Sequence, residues 1–304
     1  MIGGTHSEQM QKGANPERRG LRKGLYLIPS IFTAANIGMG FYAVMAASRG
    51  FQFIGTGSNQ DLVHAATYLD NAAKAIGWAV LFDMLDGRLA RMTKTTTEIG
   101  IQLDSIADVV TFGLAPAVLV YVWGYGGTLE EGTELHRLAW FLSFMYLMCG
   151  AFRLARFNVQ ASRPRILAEG TIKVDKKSFV GLPIPVAGGL IAAIIHFAPM
   201  PLLLYGPDRA QIYSLLLMAL VGLLSLLMIS TLRFSSFKTV GTRSRSMRTI
   251  ILAVGVGMLI FLYSRYVLLA LVVIYILHGL LSRILVGFRR RSDLTDATVQ
   301  AKHT

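Results

Sequence analysis

Four aspartates, Asp83, Asp86, Asp104 and Asp108, stand inside stretches apolar enough to enter a bilayer. They occur in Asp83-Met84-Leu85-Asp86-Gly87-Arg88-Leu89-Ala90-Arg91 and then in Gly100-Ile101-Gln102-Leu103-Asp104-Ser105-Ile106-Ala107-Asp108. A carboxylate in hydrocarbon costs several kcal/mol, so four of them on two neighbouring segments call for cations or a charged substrate between them. In helices, spacings of three and four place each pair on one face, from which the two pairs can project toward each other. Magnesium and manganese prefer carboxylate oxygens and bridge substrate phosphates, and two such ions would neutralise four acids. Cys149 is the single cysteine, and His64, His136, His196 and His278 are scattered without metal spacing, so nothing here favours zinc.

The neighbours of the acids fit a phosphate ligand. Gly87, Ala90 and Gly100 allow backbone to approach a bulky group, Arg91 can reach phosphate at the membrane surface, and Thr97 offers a hydroxyl. Small residues also serve ordinary helix packing, and intramembrane acids also line ion paths, so a cation-coupled transporter is the competing class.

The elements that must hold these residues are membrane helices. Hydrophobic residues make up 53% of the 304, and apolar runs fall near 25–47, 72–88, 99–121, 138–153, 179–197, 212–228, 250–263 and 267–286. That gives eight candidate helices in an all-α, polytopic membrane bundle, with Arg265 marking a turn between the last two. The small residues Ala46 and Ala47 at the end of the first run could also mimic a signal-peptide cleavage site, although the run is longer than a usual signal core. Residues 1–24 and 287–304 read as polar tails, 25–230 as the catalytic membrane core, and 231–286 as a cytoplasmic loop followed by a C-terminal helix pair.

The net charge of +13 reflects topology and lipid head groups, not nucleic acid. If both ends are cytoplasmic, the inside pieces carry 25 of the 30 Lys and Arg, which puts the acid-bearing loop on the cytoplasmic side of the cell (inner) membrane. Lys173, Lys176 and Lys177 are placed to meet anionic membrane lipids. Pro183 and Pro185 shape the entry to the fifth helix.

The pattern D-x-x-D-G-x-x-A-R, eight residues, G-x-x-x-D-x-x-x-D resembles that of the CDP-alcohol phosphotransferases, with every fixed position filled by Asp83, Asp86, Gly87, Ala90, Arg91, Gly100, Asp104 and Asp108. The resemblance implies a six-helix core over roughly 25–230 with about two further helices. It also implies that the four acids hold two divalent cations, Mg2+ or Mn2+, on the diphosphate of a CDP-linked lipid, with Asp108 as general base. Gly87, Ala90, Arg91, Thr97 and Gly100, with Ser30 and Thr33 on the first helix, would line the nucleotide diphosphate site. Family members often carry Asn where Ser30 stands, and a homodimer is the family expectation.

Four further stretches resemble the serine-using branch of that family: Ile28-Pro29-Ser30-Ile31-Phe32-Thr33-Ala34-Ala35-Asn36, Phe152-Arg153-Leu154-Ala155-Arg156-Phe157-Asn158, Phe179-Val180-Gly181-Leu182-Pro183-Ile184-Pro185 and Ser230-Thr231-Leu232-Arg233-Phe234-Ser235-Ser236-Phe237-Lys238. The donor so implied is CDP-diacylglycerol and the acceptor L-serine. Glycerol phosphate or inositol phosphate as acceptor, and an ether lipid as donor, are the alternatives. A serine carboxylate needs a cation, which Arg153 and Arg156 would supply while Asn158 adds a hydrogen bond. The same arginines also satisfy positive-inside statistics.

Overall fold

The computed structural model describes residues 16–56, 58–93, 98–162, 178–231, 233–235, 258–260 and 262–279. Among the described residues eight α-helices dominate: α1 (Pro16–Ile54), α2 (Asn59–Thr93), α3 (Glu98–Asp108), α4 (Ala115–Gly124), α5 (Glu134–Ser162), α6 (Ile184–Phe197), α7 (Pro207–Ile229) and α8 (Leu262–Gly279). Among the described residues five segments are long and apolar enough to cross a membrane, namely Ile31–Ile54, Ile99–Gly124, Glu134–Gln160, Pro207–Ile229 and Leu262–Gly279. The chain is an integral membrane protein of the all-α class, its helices accompanied among the described residues by one short strand pair.

α1 starts at Pro16, whose fixed φ suits the first turn of a helix, so residues 16–24 of the basic tail are helical. α1 and α2 form a long hairpin closed at Thr56, whose hydroxyl donates to the Phe53 carbonyl at 2.8 Å and to Asp61 at 2.7 Å. Their shared face is built from small residues: Ala43, Ala46, Ala47 and Gly50 on α1, Ala65, Ala72, Ala75 and Ala79 on α2. Such residues let helix axes approach closely where lipid gives no hydrophobic drive to associate. Ala46 and Ala47 therefore lie buried inside a continuous helix.

The span from Glu98 to Gly124 is one helical rod with a π-helical insert at Val109–Leu114 joining α3 to α4. Pro116 withdraws the N–H that would serve the Phe112 carbonyl in a regular α-helix, and the buried Tyr146 hydroxyl donates to that carbonyl instead, at 3.0 Å. On the α1 side, the Thr111 hydroxyl donates to the Asn36 carbonyl at 3.0 Å. Gly40 lies so close to Thr111 that a Cβ there would overlap its backbone.

The fifth apolar run does not begin as a helix. Ser178–Val180 is a short strand paired antiparallel with Arg233–Ser235, in the register Phe179 to Phe234. Gly181 then turns with φ +81°, Pro183 caps α6, and Pro185 sits in its first turn. The Leu182 N–H donates to the Leu227 carbonyl at 3.0 Å, fastening this corner to the end of α7. At the C-terminus, α8 runs straight through Arg265, so the expected turn there is absent; most of the seventh apolar run, with Lys173, Lys176 and Lys177, lies outside the described residues.

Candidate active site

All four aspartates lie at one end of the bundle, where α2 approaches its last turns and α3 enters. Asp83, Asp104 and Asp108 each offer a carboxylate oxygen, and the three oxygens lie within 4.8 Å of one another. At that spacing each charged pair repels by at least about 3 kcal/mol for an effective dielectric near 20. The set is held by helix packing and stands far from its electrostatic optimum unless positive charge is present. Asp86 flanks the three: it is 6% exposed, it accepts a hydrogen bond from the Thr33 hydroxyl at 2.6 Å, and its charge acts on Asp83 and Asp104.

Three buried oxygens at this place, Asn36 Oδ1, Asp86 Oδ1 and Asp108 Oδ1, have no hydrogen-bond partner among the described residues. Buried acceptors without donors are costly, and oxygen-only donors converging from two helices are what hard divalent cations bind. The residues therefore fit a divalent metal. Asp83, Asp104 and Asp108 would hold it, with Asp86 beside them.

Asp108 is buried, at 8% exposure, and receives a hydrogen bond from the Asn36 side chain. Its position at the junction of α3 with the π insert is fixed from both sides, by Thr111 on Asn36 and by Tyr146 on Phe112. π inserts recur at functional sites because they redirect the side chains that precede them.

Arg153, on α5, is likewise 8% exposed, and its charge acts on Asp108. Its Nε has no hydrogen-bond partner among the described residues. Arg156, one turn further along α5, donates to the Ile229 carbonyl at 3.1 Å and, more loosely, toward the Ser230 carbonyl at 3.5 Å, satisfying the C-terminus of α7. Asn158 donates to the Ser105 hydroxyl at 2.8 Å, linking α5 to the acid-bearing helix.

Of the other residues singled out from the sequence, Thr33 reaches the acids directly, while Gly87 and Gly100 are exposed. Ser30, Ala90 and Arg91 lie on α1 and α2 at this end, with side chains outside the described set, and Thr97 lies outside the described residues altogether. Asn36 bonds Asp108 and Tyr146 supports the π insert beside it through the Phe112 carbonyl, roles the sequence did not assign them. For Asn36 the signal was available, as a polar side chain one turn after Thr33 on an otherwise apolar helix.

The sequence pattern of the CDP-alcohol phosphatidyltransferase family matches residues 26–219. The chain belongs to that family. It is 32% identical over 216 residues to the CDP-diacylglycerol–serine O-phosphatidyltransferase of Helicobacter pylori, covering 71% of this chain and 75% of that one. It is 30% identical over 181 residues to the Bacillus subtilis protein of the same name, covering 58% and 82%. A Methanocaldococcus jannaschii protein, also so named, is 34% identical over 167 residues, covering 55% and 65%. The match contains both helices that carry the four aspartates, α2 and α3, together with Arg153, and ends inside α7.

Proposed function

We propose that this protein transfers the phosphatidyl group of CDP-diacylglycerol to the hydroxyl of L-serine, giving phosphatidylserine and CMP. The observation that carries the reading is the convergence of Asp83, Asp104 and Asp108 next to the buried Arg153, in a chain similar over most of its length to serine phosphatidyltransferases.

Asp83, Asp86, Asp104 and Asp108 would hold two divalent cations, Mg2+ or Mn2+. When bound, they supply Lewis-acid neutralisation of the diphosphate oxygens. Thr33 keeps the Asp86 carboxylate turned toward the site. Ser30, Gly87, Ala90, Arg91, Thr97 and Gly100 line the path of the nucleotide diphosphate, where small residues leave room and Arg91 meets phosphate charge. Arg153 and Arg156 bind the serine carboxylate and Asn158 adds a hydrogen bond, with Arg156 also tied to the end of α7 and Asn158 to Ser105.

The Asp108 carboxylate takes the proton of the serine hydroxyl, and the Asn36 amide fixes the orientation in which it does so. The serine oxygen forms a bond to the phosphorus that carries diacylglycerol, the bond from that phosphorus to the CMP oxygen breaks, and CMP leaves. The distribution of Lys and Arg supports a site facing the cytoplasmic side of the cell membrane, and a homodimer is the working unit that membership of the family implies.

Purified enzyme given labelled serine, CDP-diacylglycerol and Mn2+ is expected to yield labelled lipid and CMP in equal amounts. Asp108→Asn should lose CMP release by at least about a thousandfold while keeping CDP-lipid binding. Retained turnover would refute the base assignment. Serine uptake into vesicles without lipid product would instead identify a transporter, and a panel of acceptor alcohols decides between serine, glycerol phosphate and inositol phosphate.

A further inference from the structure

Asn36 is 1% exposed and lies one turn after Thr33 on the face of α1 that meets the acids. Both side chains serve an aspartate: the Thr33 hydroxyl donates to Asp86 at 2.6 Å, and the Asn36 amide donates to Asp108. The backbone here is pinned independently of the side chain. The Thr111 hydroxyl donates to the Asn36 carbonyl at 3.0 Å, and Gly40, one turn further on, lies against Thr111 where a Cβ would overlap. The amide is thus carried to Asp108 by the crossing of α1 with the π insert.

Only the NH2 half of that amide can donate, so its bond to Asp108 fixes which way the group is turned. The other half, Oδ1, is buried and has no hydrogen-bond partner among the described residues. An ionised Asp108 offers it no proton, and a buried acceptor left without a donor is costly. A donor is what serine brings. Its ammonium sits on the carbon next to the one bearing the hydroxyl, so once the hydroxyl is on Asp108 the ammonium comes within reach of a group bonded to Asp108. A neutral amide oxygen takes such a charge-assisted bond without adding another negative charge to the four carboxylates.

We propose that Asn36 is a specificity-determining residue: its unpartnered Oδ1 accepts a hydrogen bond from the ammonium of the acceptor while its Nδ2 holds Asp108, so that one amide both aims the base and selects an amino alcohol. The inference rests on the reading of Asp108 as the base and of serine as the acceptor. An acceptor with no donor beside its hydroxyl-bearing carbon leaves Oδ1 buried and unpaired, and a site built around such a bond rejects the analogue that lacks it.

The test compares kcat/KM for L-serine and for 3-hydroxypropionate, which is serine with hydrogen in place of the ammonium, on the full-length protein in mixed micelles with CDP-diacylglycerol and Mn2+. Where the analogue turns over too slowly to follow, its competitive inhibition constant against serine takes the place of its kcat/KM. The unaltered enzyme should favour serine by roughly tenfold or more, the range of one hydrogen bond to a charged group. Asn36→Ala should slow both substrates, because Asp108 loses its support, and should also shrink the preference by roughly tenfold or more. Asn36→Asp keeps an oxygen at the same place in either protonation state, so turnover should fall while the preference stays. Mn2+ affinity of Asn36→Ala, measured by calorimetry before substrate is added, should change far less than the preference does. No preference in the unaltered enzyme, a preference untouched in Asn36→Ala, one lost equally in Asn36→Asp, or a matching loss of Mn2+ affinity would each overturn the proposal, the last by assigning the oxygen to the metal. If the unaltered enzyme releases no CMP in response to serine, the serine assignment itself fails, a result seen before any variant is made.

Discussion

Replacing Asp104 by Asn should destroy turnover and yet make the metal-free protein more stable. Its carboxylate oxygen lies within 4.8 Å of those of Asp83 and Asp108, so the substitution removes two of the three repulsive pairs while preserving shape. At an effective dielectric near 20 those two pairs amount to about 7 kcal/mol. The relief realised is smaller, because a carboxylate under such pressure can take up a proton, which at pH 7 costs about 4 kcal/mol from its ordinary range. Between that ceiling and the losses to side-chain motion, a gain of about 1–3 kcal/mol in EDTA is expected, or several degrees in Tm. Metal should act oppositely in the two proteins: a cation at a hundred times its Kd stabilises the unaltered chain by about 2.7 kcal/mol, whereas Asp104→Asn should gain little from it. Thermal unfolding in detergent, with EDTA and then with Mn2+, reads both effects. A variant less stable than the parent in EDTA, or equally stabilised by Mn2+, would refute the claim that these acids are held together for a cation.

Thr33→Val removes the donor on Asp86 and leaves a buried carboxylate with neither oxygen paired among the described residues; it should cost about 1–3 kcal/mol of stability in EDTA and weaken Mn2+ binding measured by calorimetry. Gly181→Ala places a Cβ against the Met228 carbonyl at a positive φ, so unfolding should shift down by at least about 1 kcal/mol, with a Gly181→Asn variant no better because the collision is with backbone.

The acids were legible because chemistry at a membrane surface leaves few residue types able to do it, and a D-x-x-D and a D-x-x-x-D pair can share a helix face without knowledge of the fold. Hydropathy likewise located the helices, since each must bury or expose a long apolar length. What the sequence concealed depends on who stands opposite. Arg156 and Arg153 look equivalent one turn apart, but Arg156 also bonds the end of α7 while the charge of the more buried Arg153 acts on Asp108, a difference set by the crossing of α5 between them. The π insert was hidden because Pro116 acts four residues upstream, on Phe112, and the compensating Tyr146 lies on another helix. The start of the fifth run reads as helix by hydropathy alone. The positive φ of Gly181 and the strand pair before it override that reading.

A lipid substrate imposes a further demand that the exposed residues around the acids meet. Its diphosphate must reach the carboxylates while its chains stay in the leaflet, so charge and lipid-facing surface must adjoin on the same helices. On α2, Met84 and Leu85 are exposed between Asp83 and Asp86; on α3, Ile101, Leu103 and Ile106 are exposed around Asp104. A helix that turns one flank to ions and the next to hydrocarbon cannot sit in the middle of a bundle. This explains why the seam of small residues lies between α1 and α2 and extends away from the acids, toward the turn at Thr56: tight packing supplies rigidity from one end, leaving the other open at its side. On this argument the route of the CDP-lipid is lateral, between the exposed flanks of α2 and α3. A bulky substitution at Gly100, exposed on α3 one turn before Asp104, should then slow turnover of long-chain CDP-lipid more than that of a short-chain, water-soluble analogue, and equal slowing of both would favour entry from the aqueous side.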